Sequence, residues 1–300
     1  VWEIYARAVA QGADLIIGPL NKNLVSQLQE REALPINTLA LNYADSPKSD
    51  KNFFQFGLAP EDEVLEIVEV AWSRGHRNAA VLMPENLDYR ELQEFFEKSW
   101  RQRGGNIVSQ VNFYGDSNYA SVVKELMAID TSEARAEKLL SILPRRNMEF
   151  TPRRRNDIDF IFLVANPNDG RQIKPTLAFY FAQNIPVYST PSIYEGLDNS
   201  TENRDLDGII FADAPWILES SDELNKSINE NLRQASSTLR RLRAMGVDSF
   251  RLYPRLTQFL DNNSTVIQGD TGELSITDNQ KIRRNLKVAQ IVNGIATQIE

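Results

Sequence analysis

Short apolar segments alternate with amphipathic helical stretches along nearly all of this 300-residue sequence. That rhythm constrains the fold more than any single motif. Segments 14–18, 36–41, 53–56, 79–83, 107–113, 158–164, 186–189 and 208–212 read as strands, with helical patterns between most of them. Strand–helix alternation specifies a parallel sheet with helices on both faces. These strands are too many to sit comfortably in one sheet, so the expectation is an α/β chain of two doubly wound lobes. The sequence opens inside a helix, with Trp2, Tyr5, Ala6 and Val9 at 3.6-residue spacing and Gly12 as its stop. A parallel sheet is not expected to begin with its crossover helix. One or more strands of the first lobe are therefore expected ahead of Val1.

Helix boundaries are written in the usual chemistry. Helix 21–32 presents Leu24, Val25 and Leu28. Pro60 suits a first helical position, and Glu61, Asp62 and Glu63 suit the positive end of the dipole. Val64, Ile67, Val68, Ala71 and Trp72 form its apolar face, and Gly75 ends it. Asp88 with Glu91 reads as a capping box for a helix carrying Leu92, Phe95, Phe96 and Trp100, stopped by Gly104-Gly105. Further helices are expected at 117–128, 132–142, 171–183, 222–233, 235–244 and 248–260. Strands at 265–268 and 273–276 flank a Gly269/Gly272 turn, and the run from Ile282 to Ile299 has no settled type. No Gly/Ser-rich linker marks a lobe boundary.

Composition removes several kinds of function. The chain has 33 Lys and Arg against 41 Asp and Glu, a net charge of −8, which disfavours a nucleic-acid partner. No apolar run approaches the roughly 18 residues that span a bilayer. With no cysteine and one histidine, His76, disulfides, thiol nucleophiles, a His-based triad and a multi-His zinc site are all excluded. No dinucleotide fingerprint, P-loop or Gly-x-Ser-x-Gly elbow is present. Ser121-Val122-Val123-Lys124 matches the Ser-x-x-Lys of penicillin-interacting serine enzymes without their companion motifs; its plain reading is a solvated helix face. His76, after Gly75, reads as a surface histidine near the negative end of a helix dipole. No metal and no cofactor is expected, and the chain is expected not to be an enzyme.

Candidate binding residues lie where an open α/β sheet presents ligands, beyond the carboxyl ends of its strands. They are Gly18, Pro19 and Asn21; Asn42 and Tyr43; Glu85 and Asn86; Asn166; and Thr190 and Ser192. Asn and Pro are equally ordinary turn residues at such places. The one basic segment holds Arg145, Arg146, Arg153, Arg154 and Arg155. It reads either as a solvated loop or as a docking site for an acidic partner or polyanionic polymer.

Several segments carry a family likeness. Ala8 to Leu20, running Ala-Val-Ala-Gln-Gly-Ala-Asp-Leu-Ile-Ile-Gly-Pro-Leu, resembles the early part of type I periplasmic binding proteins. Phe56-Gly57-Leu58-Ala59-Pro60-Glu61-Asp62-Glu63 resembles their crossover into the second lobe. Arg243 to Phe250 resembles a late first-lobe helix, and Gly269-Asp270-Thr271-Gly272 the turn near the end of that fold. Within that superfamily, Arg153 to Val164 and Ile282 to Gln290 are similar to segments of the LpoA family.

That resemblance implies two lobes joined by three crossings, expected as 1–75 with 193–260 and 76–192 with 261–300. Family members carry an N-terminal helical-repeat domain and a lipidated cysteine, so this sequence would correspond to their C-terminal domain. The implied role is non-enzymatic. It is binding and stimulating the transpeptidase of a bifunctional penicillin-binding protein, of the 1A type, on the periplasmic side of the outer membrane of a Gram-negative bacterium. Peptidoglycan is a further possible partner, and the membrane is reached only through the lipid anchor. The alternative is a solute receptor holding an amino acid or other small ligand between the lobes. Asp45 could hold an ammonium group, but no hydroxyl precedes it to hold a carboxylate.

Overall fold

The computed structural model describes residues 1–31, 33–44, 50–142, 150–219, 223–232, 236–262 and 264–299. The first elements are α1 (Trp2–Ala10), β1 (Leu15–Ile17), α2 (Lys22–Gln29), β2 (Asn37–Ala40), β3 (Phe53–Phe56) and α3 (Pro60–Ser73). Then follow β4 (Asn78–Pro84), α4 (Leu87–Gln102), β5 (Asn106–Phe113), α5 (Tyr119–Leu126), α6 (Ile129–Ile142), β6 (Phe160–Leu163), α7 (Pro167–Phe179), β7 (Val187–Ser189) and β8 (Ile209–Asp213). The last are α8 (Pro215–Leu218), α9 (Glu223–Asn231), α10 (Ser237–Leu252), α11 (Leu256–Asp261), β9 (Val266–Gln268), β10 (Glu273–Ile276), β11 (Lys281–Asn285), β12 (Lys287–Val292) and β13 (Ile295–Gln298).

Two mixed sheets result, ordered β1-β2-β3-β11-β10-β9 and β13-β12-β8-β7-β6-β4-β5. The chain forms two compact units, 1–62 with 213–287 and 63–212 with 288–300. These limits differ from the expected 75/76, 192/193 and 260/261, and strand pairing explains why. Residues 63–75 go with the second unit, where Trp72 packs edge-on against Trp100 at 5.6 Å. β8 pairs with β7 through Val187 and Ile209, which carries residues after 192 into that unit. β11 pairs in parallel with β3, Ile282 opposite Phe56, so most of the tail belongs to the first.

In the first unit β2 and β3 are buried on both faces. Leu39, Phe54 and Phe56 pack with Met245, Leu252, Phe259, Leu274 and Ile282, while Ala40 and Phe53 pack with Tyr5, Val25 and Leu28. Strand periodicity of two produces this split. In the second unit every residue of β6 and β8 is buried. Phe162 stacks on Phe96 at 4.1 Å, and Phe160 meets Trp100 edge-on at 5.0 Å. Continuous apolar runs of this kind are what a doubly covered parallel sheet demands.

Several element boundaries correct the sequence reading. The cap of α4 is Asn86, whose side chain accepts the Tyr89 N–H, rather than Asp88. α7 begins at Pro167 behind the cap Asn166 and ends at Phe179, not at 171 and 183. The run 282–299 is three strands. Asn293 and Gly294 join β12 to β13 with φ of 54° and 75°, the two positive angles that a tight hairpin turn requires. α10 runs unbroken through Gly246, where a break between two helices is expected. Its buried residues Ala244, Met245, Asp248, Ser249 and Leu252 form one face, and their packing outweighs the glycine penalty.

Inside the first unit, buried charges tie the tail down. The Asp248 carboxylate, on α10, accepts the Asp270 N–H at 2.8 Å, the Thr271 N–H at 2.7 Å and the Thr271 hydroxyl at 2.6 Å. Both glycines of the turn are dictated by close approaches, one of them that of Asp248. A Cβ at Gly269 would lie 2.7 Å from the Asp248 carboxylate, and one at Gly272 (φ +141°) 2.5 Å from the Asn285 carbonyl oxygen. Asp62 likewise accepts the Arg284 N–H at 3.3 Å and faces its guanidinium at 3.4 Å, while Arg284 also donates to the Ala59 carbonyl at 3.1 Å. Arg241 forks onto Asp213 at 2.8 and 2.5 Å.

Two measurements check this account. A Cβ at Gly246 meets nothing within 4 Å, so Gly246→Ala is expected to stabilise the chain by about 0.5–1 kcal/mol in equilibrium unfolding. Asp248→Ala strands three donors, two of them buried, and is expected to cost about 3 kcal/mol. A loss under about 1 kcal/mol would show that water replaces the carboxylate.

Candidate functional site

In the first unit, the loops after β1 and β2 are laced together by their own polar groups. The Gly18 N–H donates to the Leu39 carbonyl at 2.8 Å, and the Leu41 N–H to the Pro19 carbonyl at 2.9 Å. The Gly18–Pro19 peptide is cis. Asn42 donates its amide to the Leu20 carbonyl at 3.0 Å. The Asn21 side chain accepts the N–H groups of Asn23 and Leu24, capping α2. The Tyr43 hydroxyl donates to the Ile282 carbonyl at 2.7 Å. Its ring lies 3.2 Å from where a Cβ on Gly57 would stand, and burial, with nearby Asp62 adding to it, pushes the phenol pKa up. Asp45 lies outside the described residues.

The second unit repeats the pattern. Asn86 caps α4, and Asn166 caps α7 by accepting the Asp169 N–H. Asn166 also donates to Asp169 at 2.7 Å, and Asp169 in turn accepts the Tyr119 hydroxyl at 2.8 Å. Glu85 accepts the Asn112 amide at 2.6 Å and faces Arg90 at 3.5 Å. Thr190 and Ser192 share a hydroxyl–hydroxyl bond of 2.7 Å, and Ser192 donates to the Ala165 carbonyl at 3.0 Å. Within each unit the candidate residues follow the carboxyl ends of strands. Asn21, Asn86 and Asn166 spend their side chains on helix starts; Asn42 and Ser192 tie neighbouring loops, Tyr43 reaches Ile282 of β11, and Glu85 accepts from Asn112 of β5.

The basic segment divides. Arg145 and Arg146 lie outside the described residues. Arg155 forms a fork with Asp157, both contacts at 2.7 Å, and this pair holds the Asp157 carboxyl below its usual value. Arg154 donates to two neutral carbonyls, Phe181 and Arg155, each at 2.8 Å. Arg153 is exposed, while its backbone N–H donates to the Ser132 hydroxyl at 3.3 Å. Lys124 of the Ser-x-x-Lys match is held by both oxygens of Glu133 at 2.9 Å, which raises its pKa. A lysine fixed as a cation is poorly suited to act as a base toward Ser121.

His76 corrects the sequence reading. It is half-buried rather than on the surface, with its ring 5.5 Å from Phe160 and its Nε2 3.1 Å from the Tyr188 hydroxyl. Burial lowers its pKa, opposed by Asp159 and assisted by Arg74 and Arg77. The effect of burial therefore outweighs the helix end. Among the described residues no group of three or more His, Asp or Glu is placed to hold a metal ion. No helix among them is long and apolar enough to cross a membrane. Nothing in the sequence context of the buried acids Asp62, Asp213 and Asp248 distinguishes them from solvated carboxylates.

As the one histidine, His76 gives a single imidazole proton signal to follow by NMR. Its midpoint is expected below the ordinary value of about 6.5. The unfolded chain then takes up the proton first, so this group removes stability as pH falls through that value. A midpoint at or above about 6.5 would refute the burial argument.

Comparison with known proteins places these features in a family. The family model described as "LppC putative lipoprotein" matches residues 1–294. A Vibrio cholerae protein named penicillin-binding protein activator LpoA is 28% identical over 284 residues, covering 92% of this chain and 46% of its own length. The chain therefore spans about half the length of the curated relatives it matches. The solved C-domain of Haemophilus influenzae LpoA, described as a regulator of PBP1A, superposes with a TM-score of 0.76 at 20% identity, covering 99% of this chain and 86% of that one. A solute binding protein of an ABC transporter from R. palustris, solved with 4-hydroxybenzoate, gives a TM-score of 0.54 at 12% identity, covering 99% and 80%. The architecture is thus that of the LpoA C-domain and, more distantly, of ABC-transporter solute receptors. With the family match running almost from end to end, the chain belongs to the LppC lipoprotein family.

Proposed function

We propose that this chain is a non-enzymatic regulator of peptidoglycan synthesis, anchored through the rest of its lipoprotein and facing the periplasm from the outer membrane. It binds a bifunctional penicillin-binding protein of the 1A type and stimulates its transpeptidase. The supporting observation is the extent of the likeness. Both the family match and the fold of the LpoA C-domain cover nearly the whole chain, and the relatives matched over 92% of it are named for this activation. An activator works by binding the active state of its partner more tightly than the inactive one, which needs a partner surface and no reaction chemistry of its own.

The site geometry favours the same reading over a solute receptor. The likeness to receptors is one of fold, and fold alone does not carry function. Within each unit the strand-end side chains are committed to caps and loop ties. Freeing Asn21 or Asn166 to hold a ligand would cost about 1 kcal/mol of helix stability each.

The test is the cross-linking rate of a purified bifunctional penicillin-binding protein on lipid-linked substrate, with and without this chain. A dose-dependent increase that saturates is expected. No increase, with the chain folded and the synthase active, would overturn direct activation by this portion. A melting-temperature rise with a free amino acid or muropeptide would instead support the receptor.

A further inference from the structure

Among the described residues, four helices end by the same paired backbone closure. One bond runs from the second residue past the cap to six positions back, counted inclusively, and a second lies inside it. In α1 the pair is Ala13 to Ala8 and Gly12 to Val9; in α3, His76 to Ala71 and Gly75 to Trp72; in α4, Gly105 to Trp100 and Gly104 to Arg101. The closure forces the residue after the cap into the left-handed region. Those three helices place glycine there, Gly12, Gly75 and Gly104, at φ of 87°, 86° and 92°. α7 makes the same closure, Ala182 to Leu177 and Phe181 to Ala178. The residue at its left-handed position is Phe181, at φ 63°.

A bulky side chain there is strained, and glycine would serve the turn better. Nor does burial repay the strain. Phe181 is 56% exposed and Phe179, two residues before it, 75% exposed. The pair is nonetheless held in place. Tyr180 stands edge-on against Phe179 at 5.0 Å, and Lys124 lies 5.7 Å over the Tyr180 ring. Arg154 latches the Phe181 carbonyl at 2.8 Å. The charged group shown against Phe181 is the Arg154 guanidinium. Arg153 is exposed, and neither Arg153 nor Arg154 faces a carboxylate among the described residues. On a chain of net charge −8, this spot stands out.

We propose that the end of α7, with Phe179 and Phe181 as aromatic anchors, Arg154 on the Phe181 carbonyl and the exposed Arg153 next to Arg154 in sequence, is the surface that docks the synthase. This rests on the function proposed above and names its contact. The partner segment it fits carries apolar side chains to cover the two rings and carboxylates to meet the guanidiniums. Exposed aromatics and arginines are the residue types that dominate protein interfaces. Strain tolerated at an exposed position is accounted for by what the position contacts rather than by the fold.

The test couples two readouts on the whole chain, using a purified bifunctional penicillin-binding protein as the probe. Phe181→Gly places the preferred residue at the left-handed position, so the melting temperature is expected to rise by a few degrees while synthase affinity falls at least tenfold. Phe179→Ser is expected to lose affinity similarly with melting unchanged, and Arg153→Glu to lose affinity and flatten its salt dependence. A Phe serving only the fold predicts the opposite for Phe181→Gly, a lower melting temperature and unchanged binding. Unchanged affinity in both Phe variants, with the wild type binding, would overturn this surface and leave the activator reading standing. No binding by the wild-type chain would overturn both. A wild-type dimer in sedimentation that Phe179→Ser disperses would assign the surface to a second copy of the chain and overturn the proposal.

Discussion

Parallel strands covered on both faces leave little room for polar side chains away from their ends, and much of this molecule follows from that constraint. β6 and β8 are buried at every position. Polar chemistry is displaced to the turns where strands give way to helices. At those same turns each helix begins with four unpaired N–H groups. A side chain placed there serves the helix before it serves anything else. Asn21, Asn86 and Asn166 do so, each at the start of a helix that follows a strand. The place where such folds bind ligands is also where they need caps, and only the hydrogen bonds separate the two uses.

The first unit adds a second constraint. Its sheet begins with strands from the start of the chain and is completed by strands more than two hundred residues later. β11 touches β3 through a short parallel register. That junction is reinforced by buried polar links rather than by strand length. Arg284 reaches Asp62 and the Ala59 carbonyl, and the Tyr43 hydroxyl reaches the Ile282 carbonyl. The Asp248 carboxylate fixes the turn that precedes β10. Breaking one partner of such a link leaves a buried group unsatisfied, so the late strands are held where they are added.

The legible parts of the sequence were those where one residue type has one physical use. Glycines 12, 75 and 104 marked the ends of α1, α3 and α4 because the left-handed position penalises every other residue. The strand signals were clear because apolar runs of four to eight residues in this alternating setting have one destination. The Gly269–Gly272 turn was recognisable, but its anchor Asp248 was not, since a carboxylate on a helix looks the same whether solvated or buried. Gly246 misled in the other direction, for its cost is small beside the packing of α10. In the tail, Asn293-Gly294 carried a hairpin signal that the sequence reading passed over. The unit boundaries were illegible because pairing between distant strands, not composition, decides them. At the candidate site the positions were readable and their uses were not.

The end of α7 was misjudged for a reason that bears on what a folded surface records. A helix that stops at glycine announces itself, and one that stops at phenylalanine does not, so the sequence pattern ran past Phe179 toward residue 183. The backbone there makes the same closure as its three glycine-ended counterparts. Folding therefore supplies the reason for the turn but not for the residue in it. Where local preference and the residue present disagree at an exposed site, the disagreement is a cost that the isolated chain does not recover. On the docking proposal, the recovery lies in what covers Phe179 and Phe181, and the Arg154 guanidinium at the Phe181 carbonyl favours an apolar surface edged with carboxylates.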